Sequence, residues 1–182
     1  MAVRNKTPFV PNKTYFITFT ILGWKRVFIS DKYFLLVFKW FDYMRQHYNN
    51  KIYGYVIMPN HIHVLIKITD LSPKISTLIF NAKRFLAYEI PKFLAEDKKV
   101  NLINFFKKNK DKEKAIHKVF TPRYDSLIIQ SKKFFLEKLN YIHNNPCTAK
   151  WNLANNPEDY KYSSASNYIL GKGAYDVDVE EF

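Results

Sequence analysis

Hydrophobic and polar positions along the chain follow two different periods, which together predict a mixed fold of strands and helices. Alternating, β-branched and aromatic runs predict strands in residues 14–22, 52–68 and 118–130. The second of these runs is broken by a short polar turn and therefore predicts two strands. Apolar side chains at helical spacing predict helices over residues 31–48, 72–89 and 131–145. This order of elements predicts an α+β, ferredoxin-like sandwich (β-α-β-β-α-β) with an antiparallel sheet and an added C-terminal helix.

The helix ends are marked by residues with known positional preferences. Ser72 followed by proline is typical of a helix start, and the helix is expected to end near Glu89. The last helix should end by Asn145, because a residue that precedes proline disfavours helical geometry. The buried side of the second helix is expected to comprise Ile75, Leu78, Ile79, Ala82, Phe85 and Leu86.

Three stretches do not fit this regular pattern, although residues 1–182 as a whole are read as one domain. A Lys-rich insertion at about residues 97–117 is interpreted as a mobile segment, a nucleic-acid contact or a solvated loop. Residues 155–165 are expected to be irregular surface. The acidic end of the chain, from about residue 172 to 182, is predicted to be a mobile tail.

Composition narrows the class of protein. The formal net charge of +13 favours a polyanionic partner, and nucleic acid is the default choice. Cys147 is the only cysteine, which excludes an internal disulfide and a zinc site built from cysteines and suits a cytoplasmic protein. No apolar run approaches the roughly 20 residues of a membrane helix, so no membrane partner is expected. The four glycines argue against P-loop and dinucleotide-binding sites.

Basic and aromatic side chains supply candidate contacts to DNA. Unpaired bases could stack on some of the many aromatic rings, although most of these rings should belong to the core. Phosphate groups could be contacted by the basic residues Lys25, Arg26, Lys83, Arg84 and Arg123. A solvated pair is an equally good interpretation of Lys83 and Arg84.

Two histidines at the start of a predicted strand form the first chemical signal. His61 and His63 lie two residues apart, so their imidazoles project from the same face of the strand, while Ile62 between them faces the core. Two neutral imidazoles on one face are suitable ligands for a divalent metal. Two unrelated histidines on a polar strand face are the simpler alternative.

A tyrosine and an asparagine on the last predicted helix form the second signal. Tyr141 and Asn145 are four residues apart and share one helical face. A tyrosine can attack a phosphodiester and form a phosphotyrosine intermediate, while an amide oxygen one turn later can be a third metal ligand. Tyr124 is the second candidate nucleophile, but it lies in a strand region. His143 points about 200° away from Tyr141 around the helix and is assigned to packing or surface.

These motifs together resemble those of the REP-associated tyrosine transposases, which are single-tyrosine HUH endonucleases. The resemblance rests on three motifs, Tyr55-Val-Ile-Met-Pro-Asn-His-Ile-His63, Tyr141-Ile-His-Asn-Asn-Pro146 and Tyr162-Ser-Ser-Ala165. It implies an enzyme, a metal-dependent transposase that cleaves and rejoins single-stranded DNA next to hairpins of REP-like palindromes. The resemblance also implies Mg²⁺ or Mn²⁺ at His61, His63 and Asn145, a 5′-phosphotyrosine at Tyr141, and a possible homodimer. The Lys-rich insertion departs from the more compact members of that family.

Two other functions agree with the same residues. A non-catalytic module could bind single-stranded nucleic acid through its basic and aromatic residues, and the histidines and Tyr141 would then be incidental. A metal-dependent nuclease could use activated water in place of a tyrosine nucleophile. Both alternatives predict that no covalent adduct between protein and DNA forms.

Overall fold

A four-stranded antiparallel sheet lies at the centre of the structure, a computed structural model that describes residues 8–109 and 117–179. The strands are β1 Lys13–Ile21, β2 Lys51–Met58, β3 His61–Ile68 and β4 Phe120–Ile128. Their order in the sheet is β2-β3-β1-β4, and each neighbouring pair is antiparallel. With one α-helix between β1 and β2 and two between β3 and β4, this topology confirms the predicted ferredoxin-like α+β fold.

Helices cover both faces of the sheet. They are α1 Asp31–Tyr48, α2 Ile75–Glu96, α3 Val100–Lys108, α4 Lys132–Asn144 and α5 Ala165–Leu170. The buried sides of α1 and α2 pack with one sheet face in the larger core cluster, whereas α4 packs on the opposite face in a smaller cluster. None of the helices in the described ranges has the length and apolar character needed to cross a bilayer.

Strand alternation decides which side chains meet which helix. In β3, Ile62 and Val64 face the larger cluster beneath α1 and α2. Leu65 lies in the cluster beneath α4, so His61 and His63, which have the same parity, project from that second face. The two imidazoles therefore share one side of the sheet, as the sequence predicted.

Helix α2 is longer than its predicted end near Glu89. It continues to Glu96 and contains Pro91 in its interior. Ile90 and Leu94 are both fully buried and extend the apolar side of the helix, so tertiary packing outweighs the hydrogen bond lost at the proline. The prediction for Phe85 is also wrong, because this side chain is exposed at the margin of the buried stripe.

The Lys-rich segment contains a packed helix, which differs from a mobile or solvated loop. Helix α3 occupies Val100–Lys108, and Phe106 is fully buried in the larger core cluster. The amide of Lys118 donates to the carbonyl of Phe106 at 3.0 Å, which ties the helix to the chain leading into β4. The buried ring of Phe106 therefore holds in place a segment whose charge pattern suggested a loop. Residues 110–116 of the insertion lie outside the described ranges.

We expect Phe106→Ala to lower the free energy of unfolding by about 3–5 kcal/mol, because it removes a fully buried aromatic side chain and leaves a cavity. Urea denaturation followed by circular dichroism measures this loss. The matched control is Phe80→Ala, since Phe80 is 63% exposed on α2 and its removal should cost less than about 1 kcal/mol. Equal losses in the two variants would show that α3 does not contribute to the core.

The prediction of irregular surface holds for residues 155–161 but is wrong for residues 162–165, which are buried and complete the edge of the sheet. Ser163 and Ser164 are fully buried, and Ser163 forms an antiparallel bridge to Val56 of β2. The amide of Ser164 donates to the carbonyl of Tyr55 at 2.9 Å, and that of Ile57 donates to the carbonyl of Tyr162 at 2.9 Å. The segment thereby pairs backbone groups that would otherwise be open at an edge strand.

The acidic end of the chain is held in place as far as the structure describes it. Asp178 accepts a hydrogen bond from the Ile52 amide and forms an ion pair with Arg45, each at 2.8 Å. Tyr175 packs against the rings of Phe38 and Phe41. The prediction of a mobile tail is therefore wrong for these residues, and residues 180–182 lie outside the described ranges.

Candidate active site

His61 and His63 lie side by side on the sheet face that α4 covers. Their ring centroids are 4.7 Å apart, and both side chains are buried. Burial lowers the pKa of His61 to about 4, and the nearby positive charge of Lys150 lowers it further in the same direction. Burial and the neighbouring His61 likewise hold the pKa of His63 well below its usual value. Both imidazoles are therefore neutral at pH 7, the form that can donate a lone pair to a metal.

The orientation of His61 is set by the asparagine that precedes it. The Nδ1 of His61 lies 2.7 Å from the Oδ1 of Asn60. The Nδ2 of Asn60 donates to the carbonyl of Trp24 at 3.1 Å, which leaves its Oδ1 as the acceptor for His61. His61 must then carry its proton on Nδ1, so the lone pair is on Nε2.

The outer nitrogen of His63 is buried and has no hydrogen-bond partner in the described parts of the chain. Its Nδ1 lies 2.6 Å from the Oγ1 of Thr18, the residue directly opposite on β1. Its Nε2 is enclosed and unpaired. Since an unpaired buried polar group costs about 1–3 kcal/mol, an orphan nitrogen beside a second imidazole suits a site that receives a ligand.

Helix α4 brings Tyr141 to the histidines. Its ring centroid is 5.3 Å from that of His63 and 6.0 Å from that of Phe16, while half of the side chain is exposed. The close approach of α4 depends on Gly54 of β2, where an added Cβ would lie 2.6 Å from the Cδ1 of Leu139. Tyr141 is thus in contact with the imidazole pair and open to a ligand from solvent.

Asn145 is buried at the C-terminal end of α4, one turn beyond Tyr141. Its main-chain carbonyl accepts a hydrogen bond from the Oγ1 of Thr148 at 2.9 Å, which fixes the chain after the helix. Among the described residues, no group of three or more His, Cys, Asp or Glu side chains could hold a metal ion. Within the described ranges, a third protein ligand beside the two histidines would therefore be a residue of another type, such as the amide of Asn145.

The other candidates from the sequence do not join this cluster. Tyr124 is the direct partner of Phe19 on β4 and packs against the larger core cluster, on the sheet face opposite the histidines. His143 is buried, and its Nε2 lies 2.9 Å from the Oγ of Ser164. Burial lowers the pKa of His143 to about 4. The structure therefore brings Tyr141, and not Tyr124, to the imidazole pair.

The predicted DNA contacts lie on the loop after β1, on helix α2 and on strand β4. Lys25 and Arg26 are exposed directly after Trp24, and the Nζ of Lys25 lies 4.8 Å from the ring centroid of Phe105 on α3. Lys83 and Arg84 lie on α2 and line a cavity of about 890 Å³ on the other side of the sheet. The Nζ of Lys83 donates to the carbonyl of Arg123 at 2.8 Å, so its charge is engaged with the backbone of β4. The five residues therefore come from three separate elements of the chain.

Sequence reasoning missed several residues that surround the histidines. The two hydrogen-bond partners are Thr18 and Asn60. The residues beside the rings of the pair are Phe16, Trp24, Lys150 and Trp151. The alternation of β1 could have placed Phe16 and Thr18 on one face, but only the register of β1 against β3 shows that Thr18 meets His63.

Comparisons with known proteins agree with the topology. No protein-family model and no curated protein matches the chain. Among solved structures, it is similar to a REP-associated tyrosine transposase bound to a REP hairpin, with a TM-score of 0.64, 15% sequence identity, and coverage of 99% of this chain and 94% of that chain. The chain has the fold of that transposase. The resemblance predicted from the sequence motifs is thereby confirmed at the level of the fold.

A second solved structure is a putative transposase from Deinococcus radiodurans R1. It is 15% identical to this chain and gives a TM-score of 0.46, with coverage of 78% of this chain and 97% of that chain. Neither structure is close in sequence, so these similarities concern the fold and not the chemistry of the site.

Proposed function

We propose that this protein is a transposase-type nuclease that cuts and rejoins single-stranded DNA through Tyr141. The observation that carries the proposal is the contact between two groups of complementary chemistry. A half-exposed phenol lies 5.3 Å from a buried imidazole, measured between ring centroids, and the outer nitrogen of that imidazole has no partner in the described structure. The shared fold with a REP-associated tyrosine transposase supports this assignment.

The proposed reaction is a reversible exchange of phosphodiester bonds. The phenolic oxygen of Tyr141 attacks the phosphorus, the bond from phosphorus to the 3′ oxygen breaks, and that oxygen leaves as a free 3′-OH after gaining a proton. The phenol loses its own proton in the same step. The 5′ phosphate stays bound to Tyr141 until a 3′-OH attacks it and restores a diester, so no external energy source is needed.

We propose that Mg²⁺ or Mn²⁺ is held by the Nε2 atoms of His61 and His63 and by the amide of Asn145. The two imidazoles fit such an ion, because both are neutral, the Nε2 of His61 carries the lone pair, and the Nε2 of His63 has no partner among the described residues. A bound divalent ion would polarise the phosphate and stabilise the charge that develops on it. The hydrogen bonds to Asn60 and Thr18 hold the two rings ready for it.

The substrate we propose is single-stranded DNA next to a hairpin. The solved transposase of the same fold is bound to a REP hairpin, and this chain has a formal net charge of +13 to offset DNA phosphates. Tyr141 lies beside the histidines of its own chain, so one protomer contains the nucleophile and the proposed metal ligands. A homodimer is compatible with this arrangement but is not needed to complete the site.

The test is incubation of the purified full chain with end-labelled hairpin oligonucleotides carrying single-stranded flanks, in Mg²⁺ or Mn²⁺. We expect a labelled adduct of protein and DNA that survives a denaturing gel, together with a released strand that ends in 3′-OH. Omission of the metal or addition of EDTA should abolish both products. Cleavage without an adduct would indicate a water nucleophile and would overturn the role of Tyr141.

Thr18→Val is expected to weaken Mn²⁺ binding by about 10- to 100-fold, because it removes the hydroxyl that orients His63 while keeping a β-branched side chain in the strand. Mn²⁺ titration followed by electron paramagnetic resonance measures the dissociation constant. Thr14→Val is the matched control, since Thr14 lies on the same strand and face but pairs with Lys67. Equal dissociation constants for the two variants would show that Thr18 does not position the ligand.

A further inference from the structure

Two tryptophan rings and a lysine form an exposed cluster beside the histidine pair. Trp24 is 60% exposed, and Trp151 is half-buried. The Nζ of Lys150 lies 5.5 Å from the ring centroid of Trp24 and 5.6 Å from that of Trp151, so the ammonium is placed against both aromatic rings. We call these three residues the tryptophan platform.

The tryptophan platform borders the site of the proposed reaction. The ring centroid of Trp151 is 5.6 Å from that of His61, and the ring centroid of Trp24 is 6.3 Å from it. His61 in turn is 4.7 Å from His63. A nucleotide whose phosphate lies at the histidines could therefore place its base within reach of these rings.

The backbone holds Trp24 outward in an unfavourable conformation. Its φ is +55°, a left-handed value that a bulky side chain rarely adopts. The preceding residue, Gly23, also has a left-handed φ of +62°, which glycine adopts without strain. A Cβ added at Gly23 would lie 2.7 Å from the ring of Phe105 on α3. An exposed indole on a strained backbone, with a packed helix directly behind it, is a feature that stability alone would not favour.

Asn60 links the platform to the proposed metal ligands. Its Nδ2 donates to the carbonyl of Trp24, and its Oδ1 accepts from the Nδ1 of His61. One side chain thus fixes both the turn that presents the indole and the ring that presents the lone pair. The platform and the histidine pair are parts of one connected arrangement, and a ligand that occupies both would meet groups already in position.

We propose that the tryptophan platform stacks an unpaired nucleobase of the strand that Tyr141 attacks, with Lys150 contacting its phosphate. This inference rests on the proposed function and adds a subsite to it. A flat indole can stack on any unpaired base, whereas the faces of paired bases in a duplex are already covered. The platform therefore favours single-stranded DNA and does not by itself select a sequence.

The experiment compares a thymidine oligonucleotide of about ten residues with an abasic chain of equal length, which has the same phosphates but no bases. Binding of the full chain is measured in EDTA by tryptophan fluorescence. Trp40, the third tryptophan, is buried in the core and supplies a constant background. We expect the oligonucleotide with bases to quench the fluorescence and to bind about tenfold or more tighter than the abasic chain.

Trp24→Asn is the decisive variant, because asparagine tolerates the left-handed conformation while removing the indole. We expect it to lose most of the preference for bases, as measured by anisotropy of labelled DNA. Phe80→Ala, which removes an exposed ring on the other side of the sheet, should keep the preference. Equal binding of both oligonucleotides to the unaltered protein, or an undiminished preference in Trp24→Asn, would overturn the proposal.

The covalent adduct is scored separately, so the two proposals can fail independently. An adduct from a protein that does not distinguish bases from abasic chains would refute the platform and leave the role of Tyr141 intact. A base preference that depends on Trp24, in a protein that forms no adduct, would support the platform and refute the nuclease.

Discussion

Tyr141→Phe is expected to abolish formation of the covalent adduct and to lower strand cleavage by about 10⁴-fold or more, because the variant lacks the oxygen that attacks phosphorus. The ring contacts with His63 and Phe16 should persist, since phenylalanine keeps the aromatic ring. Binding of hairpin DNA should therefore change by less than about threefold. Cleavage is measured on a denaturing gel, and binding is measured by anisotropy with labelled hairpins.

Tyr124→Phe is the control for this variant, because it removes a phenol on the opposite face of the sheet. It should leave the adduct unchanged. Two other outcomes identify the alternative functions. Cleavage that persists in Tyr141→Phe would indicate a metal-dependent nuclease that uses water, whereas tight binding without any cleavage by the unaltered protein would indicate a binding module.

The fold and the centre of the candidate site follow from local periodicity. A period of two placed His61 and His63 on one face of a strand, and a period of 3.6 placed Tyr141 and Asn145 on one face of a helix. These relations involve residues at most four positions apart, so they can be seen in the sequence. That α4 would lie against the histidine face followed from the resemblance, and the contact of 5.3 Å between ring centroids confirms it.

The features that the sequence did not show depend on contacts between distant residues. Thr18 contacts His63, which is 45 positions later in the chain. Trp24, from the part of the chain before His61, and Trp151, from the part after it, both lie beside the His61 ring. No local pattern specifies such meetings. The Lys-rich segment is a similar case, because its single buried anchor, Phe106, is outweighed in the sequence pattern by the charges around it. The tertiary packing of Phe106 determines the structure of this segment, although its Lys-rich composition suggested a loop.

The surroundings of the histidines also bear on stability. Most buried polar groups in the described structure have partners, and His143 illustrates this through its contact with Ser164. His63 differs because its inner nitrogen is paired and its outer nitrogen is not. If the outer nitrogen serves a metal, the protein without metal retains a destabilising feature that an apolar residue would remove.

His63→Leu is therefore expected to have opposite effects on stability and function. In EDTA, its free energy of unfolding should equal that of the unaltered protein or exceed it by about 1 kcal/mol. Leucine fills similar space, and removal of the unpaired nitrogen offsets or outweighs the lost contact with Thr18. Its affinity for Mn²⁺ should fall by more than the roughly 100-fold upper limit expected for Thr18→Val, because a proposed ligand is lost and not only its hydrogen-bond partner. The covalent adduct should disappear. Urea denaturation in EDTA and Mn²⁺ titration of the same preparation measure the two effects.

The comparison variant is His143→Leu, which removes a buried histidine that already has a hydrogen-bond partner. It should lower the free energy of unfolding by about 1 kcal/mol, because the contact with Ser164 is lost without relief of an unpaired group. The lower free energy of unfolding of His143→Leu compared with His63→Leu is the diagnostic result. If His63→Leu is destabilised as much as His143→Leu and still binds Mn²⁺ normally, then His63 is an ordinary core residue, and the ion must be held elsewhere or not at all.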